Sequence, residues 1–189
     1  MFQATSPRRI RGFSLVELMV VMAIVAILAL AIAPWFAKLS QRNTVKSATQ
    51  EVSITLAAAR LRAVKRNLPA SVVITPPTGP NQYNRVETFE NVVPTPIKVG
   101  EVKLTTLVTF PSGAGEFYSR PSLPIIVTFG PDGRLQTADP GVTTQHVTLR
   151  GVVGAGTTND LPIRIGATGT IRVLKPNPNA SNLDGTAWH

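Results

Sequence analysis

The chain has 189 residues, 43% of them hydrophobic, with 19 basic side chains against 10 acidic ones and no cysteine. That length admits one domain plus an anchor, and the lack of cysteine excludes disulfides and thiolate metal sites. Three of the arginines, Arg8, Arg9 and Arg11, fall in the first twelve residues, so the rest carries 16 basic against 10 acidic side chains, a net +6 where the whole chain has +9.

Residues 1–12 are a basic leader with no fold to assign. From Phe13 to Phe36 the chain is apolar except for Ser14, Glu17 and Pro34. At about 1.5 Å of rise per residue this run can cross a hydrocarbon core of roughly 30 Å, so residues 13–36 read as a transmembrane helix. A cleavable secretory signal fits less well. The run exceeds an ordinary signal core of about 7 to 15 residues, and the small-residue site Ala31-Ile32-Ala33 is followed by Pro34. A plain anchor, with the leader arginines held in the cytoplasm, leaves Glu17 unexplained. A carboxylate inside an apolar helix costs roughly 2.5 kcal/mol or more at the bilayer centre and normally has a partner. A new amino terminus at Phe13 would put a positive charge four residues away, in the same chain or in a neighbour, and so offset that cost.

The run Gly12-Phe13-Ser14-Leu15-Val16-Glu17-Leu18 resembles the class III signal of type IV pilins and type II secretion pseudopilins. In that family a prepilin peptidase cuts after the glycine and N-methylates the new terminus. Carried over, the resemblance implies cleavage between Gly12 and Phe13, methylation of Phe13, and pairing of Glu17 with the terminal amine of a neighbouring subunit during assembly. It also implies a single-pass protein of the bacterial inner membrane with a periplasmic head. Pro34 stands where many members carry a helix-loosening proline, and its missing N–H predicts a kink or a short melted stretch near residues 30–36.

Between Lys38 and Asn67 there is neither glycine nor proline, and Val45, Ala48, Val52, Leu56, Ala59 and Ala63 recur at steps of three or four. The spacing predicts that an amphipathic helix over 37–67 lays this stripe on a globular head. Lys38, Arg42, Lys46, Arg60, Arg62, Lys65 and Arg66 take the other faces, either as a solvated surface or, near Lys38 and Arg42, against acidic headgroups or a partner subunit. Asn67 before Leu68-Pro69 ends the helix.

Residues 68–189 change texture to short β-branched runs parted by proline and glycine, which reads as a β-rich head. Strands are expected near 70–76, 84–90, 97–104, 105–110, 124–129, 145–150, 161–166 and 170–175, with loops at 76–82, 111–122, 130–143 and 151–160 and an irregular tail from Pro176. Their apolar face needs the helix stripe, so the fold class is α+β, a long N-terminal helix packed on an antiparallel sheet.

Phe129-Gly130-Pro131-Asp132-Gly133-Arg134 reads as a strand ending in a tight turn, with proline fixing φ and glycine admitting positive φ. It also resembles the F-x-P-D-G segment of the GspH/FimT type of pseudopilins and minor pilins, subunits placed near the filament tip, and the resemblance extends to Gly169-Thr170-Ile171-Arg172-Val173. If Ala167-Thr168-Gly169 is a three-residue loop, Gly166 pairs with Thr170, Ile165 with Ile171, Arg164 with Arg172 and Ile163 with Val173. The isoleucines and the valine then face the core, while Arg164 and Arg172 oppose each other on the outer face. Like charges so placed are destabilising unless offset. An anion such as the DNA phosphate backbone is one candidate, with Arg150 and Lys175 as further members; an acidic neighbour such as Asp160 is another. Some FimT-type minor pilins take up DNA through a G-R-x-R motif in this region. Here threonine stands in place of its first arginine, and no aromatic residue interleaves to stack on bases.

Catalytic and cofactor readings find no support. His146 and His189 lack a carboxylate at metal-ligand spacing, and neither G-x-S-x-G nor S-x-x-K occurs. The glycine-rich run Gly151 to Gly156 does not open a helix and reads as a loop. No catalytic residue, metal site or cofactor is expected. The expected partners are the prepilin peptidase, other pilin or pseudopilin subunits, the membrane and, on the second reading, DNA.

Overall fold

The computed structural model describes residues 14–77, 79, 82–111, 124–136, 144–152 and 158–174. The chain divides into two compact units, Met1–Lys38 and Leu39–His189. Among the described residues there is one α-helix, α1, Leu15–Arg66. It stays helical through residues 30–36, so the melted stretch expected at Pro34 is not found. Within the first unit the segment Leu15–Ile32 is apolar and long enough to cross a membrane, and its side chains are exposed.

In the second unit the helical stripe is buried as the spacing requires: Val45, Ala48, Val52, Leu56, Ala59 and Ala63 all join the core. Thr49 is buried beside them and donates its hydroxyl to Val45 O, four residues back, at 2.8 Å, which satisfies a polar group that the core could not otherwise accept. The helix ends at Asn67, whose φ of 54° gives the left-handed turn that asparagine tolerates. The Leu68 amide then reaches back to Ala63 O at 3.2 Å.

Among the described residues nine strands follow: β1 Ala70–Thr75, β2 Asn84–Glu90, β3 Ile97–Leu104, β4 Val108–Thr109, β5 Ile125–Phe129, β6 Leu135–Gln136, β7 Thr144–Val152, β8 Thr158–Gly166 and β9 Ile171–Val173. They form two antiparallel sheets where one was expected. The first has the order β3-β2-β1-β5-β6 and the second β4-β7-β8-β9. Alternation sends Val72, Ile74, Val86, Val127 and Phe129 from the first sheet, and Val147, Leu149, Ile163 and Ile165 from the second, into the same core as the helix stripe.

The chain changes sheets between β3 and β4. There the buried amide of Asn84 donates to Thr105 O at 3.0 Å and to Val108 O at 2.7 Å, holding a turn that has no ladder of its own. The sheets meet again where Gln145 donates to Ile126 O at 3.0 Å. Three expectations are corrected. The predicted loop 130–143 contains β6, β7 and β8 extend beyond the bounds read from sequence, and the strand expected over 105–110 shrinks to two residues.

Candidate functional site

The N-terminal site begins outside the described residues, since Gly12 and Phe13 precede Ser14. Ser14 sits just before α1, and its carbonyl accepts the Leu18 amide at 3.1 Å, so the helix begins at the residue after it. Glu17 is therefore in the first turn and exposed. A carboxylate there also suits the positive end of the helix dipole, a favourable interaction in addition to any pairing with a terminal amine. The side chain of Pro34 lies outside the described residues.

The second site is built by the last hairpin. Gly166 N donates to Thr170 O at 2.9 Å and Gly169 N to Gly166 O at 2.8 Å, closing Ala167-Thr168-Gly169 as a three-residue loop with Gly169 at φ 77°. The register that follows pairs Ile163 with Val173, Arg164 with Arg172 and Ile165 with Ile171, as the loop length predicts. Arg164 and Arg172 are exposed, and opposite residues in such a pair hold their Cβ atoms about 4.5 to 5.5 Å apart. Ile163 and Ile165 are buried, but Val173, expected to face the core, keeps 39% of its surface exposed, because β9 is a three-residue edge strand with a single neighbour.

Among the described residues no acidic side chain pairs with Arg164 or Arg172. The first sheet supplies a contrast. There Arg85 lies opposite Lys103, but the next pair on the same face, Glu87 with Glu101, brings two carboxylates beside them. Lys98 in turn bonds Glu87 at 2.6 Å and Glu101 as well. That cluster sets two carboxylates against its three cations; the hairpin pair has none among the described residues.

Arg150 is not part of the hairpin pair. It faces Asp160 across β7 and β8 and donates to both carboxylate oxygens, Nε to Oδ1 at 2.8 Å and Nη2 to Oδ2 at 2.6 Å. Asp160 is four residues from Arg164 along β8, about 13 Å at strand rise, so Arg150 is both neutralised and distant. The position opposite Arg164 on its other side is His146, which is buried. Lys175 and His189 lie outside the described residues, as do residues 153–156 of the glycine-rich run. Among the described residues no group of three His, Asp or Glu could hold a metal ion.

Sequence reasoning missed the residue that ties the hairpin to the helix. Arg60 reaches off the flank of the buried stripe and donates from Nε to Gly133 O at 2.9 Å and from Nη2 to Thr168 O at 3.0 Å. One guanidinium thus joins α1 to the Gly130–Gly133 turn and to the hairpin loop. That turn closes by Gly133 N to Gly130 O at 2.9 Å, with the Asp132 carboxylate accepting the Arg134 amide at 3.0 Å. The turn and the hairpin loop are also in direct contact, Gly169 lying against Gly133 O.

Comparison with known proteins agrees with the N-terminal geometry. No curated protein and no solved structure matches the chain. Residues 7–33 match the family model of the prokaryotic N-terminal methylation motif, a type IV pilin-like prepilin signal; the match takes in the apolar segment Leu15–Ile32, and an α+β head follows.

Proposed function

We propose that the chain is a minor subunit of a type II secretion pseudopilus or of a type IV pilus tip, of the GspH/FimT type. The prepilin peptidase cuts it after Gly12 and N-methylates Phe13. Its role is structural: it catalyses no reaction, holds no cofactor, and works by assembling with other subunits. The carrying observation is the methylation motif over residues 7–33, which contains the apolar segment Leu15–Ile32. Before assembly the protein is held in the inner membrane by that segment, with residues 68–189 on the periplasmic side. Glu17 sets the register against a neighbour's terminal amine, and Pro34 removes one backbone hydrogen bond from a helix that remains continuous. The reading of subgroup is supported by the proline-bearing turn and the final hairpin, which Arg60 joins. Intact-mass and N-terminal peptide analysis of the protein from its native membrane tests the proposal. A mature chain beginning at N-methylated Phe13 is expected; an intact leader or cleavage after Ala33 would remove the assignment.

A second reading has the same anchored head capturing DNA. It is favoured by one observation, the directly opposed and exposed Arg164 and Arg172 without an acidic partner among the described residues. A polyanion is the kind of ligand that offsets such a pair, and its binding weakens steeply with salt. Arg150 drops out of this site because Asp160 holds it; Lys175 stays in it as a sequence-based member. Titrating a short duplex with the full processed protein in non-ionic detergent, over a salt series, tests it. Binding that falls with salt and with the Arg164→Ala/Arg172→Ala double variant is expected, and no binding at low salt would leave the structural role alone.

A further inference from the structure

We infer that Arg60 is the positioning residue of the hairpin arginines: it holds the loop that sets where Arg172 stands and does not itself touch the anion. The inference rests on the second reading above, DNA capture by Arg164 and Arg172.

The hairpin has a short ladder. β9 has three residues, Ile171–Val173, and among the described residues it pairs with β8 alone, at the edge of the four-stranded sheet. Ile171 packs against the core, and Leu174 N adds one bond to Pro162 O at 2.9 Å. The loop supplies further ties, because its backbone groups are taken up by elements outside the hairpin. Ala167 O accepts the Leu135 amide from β6 at 3.1 Å, Thr168 O accepts Arg60 Nη2 at 3.0 Å, and the α-carbon of Gly169 lies against Gly133 O. Arg60 is common to the last two, because its Nε also bonds Gly133 O at 2.9 Å.

Face and charge separate Arg60 from the ligands. Arg60 approaches from α1 and meets the end of the hairpin. Arg164 and Arg172 lie on the face opposite to Ile163 and Ile165, whose side chains enter the core. A planar guanidinium can bridge two carbonyls held in fixed geometry; an ammonium cannot do so with one rigid fork. Removing Arg60 therefore leaves the number of phosphate contacts unchanged and lowers the fraction of molecules whose arginines are in place, which raises the apparent Kd without altering intrinsic contacts.

The salt dependence distinguishes the two roles. Losing a phosphate ligand reduces the slope of log K against log salt by about one, whereas losing a positioning residue shifts the line without tilting it. The test uses the full processed protein in non-ionic detergent, a short fluorescent duplex, and the variants Arg60→Ala, Arg60→Lys and Arg172→Ala, with amide hydrogen exchange on each. Arg60→Ala is expected to weaken binding about three- to tenfold at every salt with the slope unchanged, and to speed exchange at Gly166, Gly169 and Leu135 while β1 stays protected. Arg60→Lys, which keeps the charge and secures the test should the alanine variant fold poorly, is expected to shift both readouts the same way by less. Arg172→Ala is expected to lower the slope. A slope lowered by Arg60→Ala as by Arg172→Ala makes Arg60 a ligand and overturns the inference; so does wild-type binding, or unchanged exchange across the hairpin, in both Arg60 variants. If the wild-type protein binds no duplex at low salt, DNA capture fails and the positioning role goes with it, while the exchange arm still reports whether Arg60 holds the loop.

Discussion

The carbonyl oxygen of Gly133 occupies the space that a side chain at Gly169 would need. Both residues have positive φ, 73° at Gly133 and 77° at Gly169, and the two turns they close are pressed together with the Arg60 guanidinium beside them. A Cβ at Gly169 would overlap that oxygen and come within 2.7 Å of Arg60 Nε. A left-handed non-glycine residue alone costs of order 1–3 kcal/mol, and here backbone must also move. Gly169→Ala is therefore expected to destabilise the head by about 2 kcal/mol or more, read as a lowered thermal midpoint. A midpoint equal to wild type would mean that the two turns separate freely.

The contact between Arg150 and Asp160 also has a measurable consequence. Asp160 is 9% exposed and bonded through both oxygens. Truncating one partner of such a pair leaves a nearly buried charge, at a cost of about 3–5 kcal/mol for full burial and less where, as for Arg150, water reaches the partner. Arg150→Ala should therefore lower chemical-denaturation stability by roughly 1–3 kcal/mol. It should leave duplex binding, if present, within about twofold of wild type, because the arginine has no free charge to offer. A large loss of binding at unchanged stability would return Arg150 to the anion site.

Local pattern made the secondary structure of the head legible. Alternation of apolar residues along a strand fixes which face is buried, so the pairing of Arg164 with Arg172 follows from a three-residue loop alone. The helix stripe was equally open, since Val45, Val52 and Leu56 can share a face only at helical spacing. The choice of sheet was not. Nothing local in β4 or β7 says that they pair with each other and not with β3, and the crossover depends on Asn84, a single residue with two distant carbonyl partners. Arg60 was hidden for a different reason. In a helix that also carries Arg62, Lys65 and Arg66, an arginine bound to carbonyls 73 and 108 residues away has the same sequence surroundings as one in solvent.

The outer face of the first sheet predicts a pH response. Glu101 is held below the usual carboxylate range, first by its hydrogen bond from Lys98, which outweighs the opposing desolvation, and then by the charges of Lys98, Lys103 and Arg85. Lys98 is raised by the same bond and by the one to Glu87. A carboxylate with a depressed folded pKa stabilises the fold above its unfolded pKa, and that contribution is lost as pH falls through the folded value. A lysine with a raised pKa contributes below its unfolded value and loses the contribution as pH rises through the folded one. The cluster therefore contributes across neutral pH and weakens at both extremes, by an amount that solvent keeps small. In a carbon-detected NMR titration the Glu101 carboxyl should have its midpoint below that of a free glutamate, and Lys98→Ala should bring it back up. An unmoved midpoint in that variant would show that Lys98 is not its principal partner.

Glu17 supports the sharpest test of assembly. It lies in the first turn of α1, within the apolar run that enters the bilayer, where a carboxylate without a partner costs roughly 2.5 kcal/mol or more at the centre and less towards the interface. If a neighbour's methylated amine is that partner, the pair forms only on assembly, and the relief of burial cost drives incorporation in one register. Glu17→Ala then removes both the cost and the drive. The variant should be cut and methylated normally and stay in the membrane, because Gly12, Phe13 and the apolar helix are intact. It should enter filaments at least about tenfold less, the factor that a loss of 1.4 kcal/mol produces. Glu17→Gln, which keeps the shape without the charge, should behave as the alanine variant does. Quantifying the processed subunit in sheared filaments against the membrane pool reads both effects at once. Normal incorporation of the two variants would show that packing of the apolar helix, and not the charge pair, selects the register.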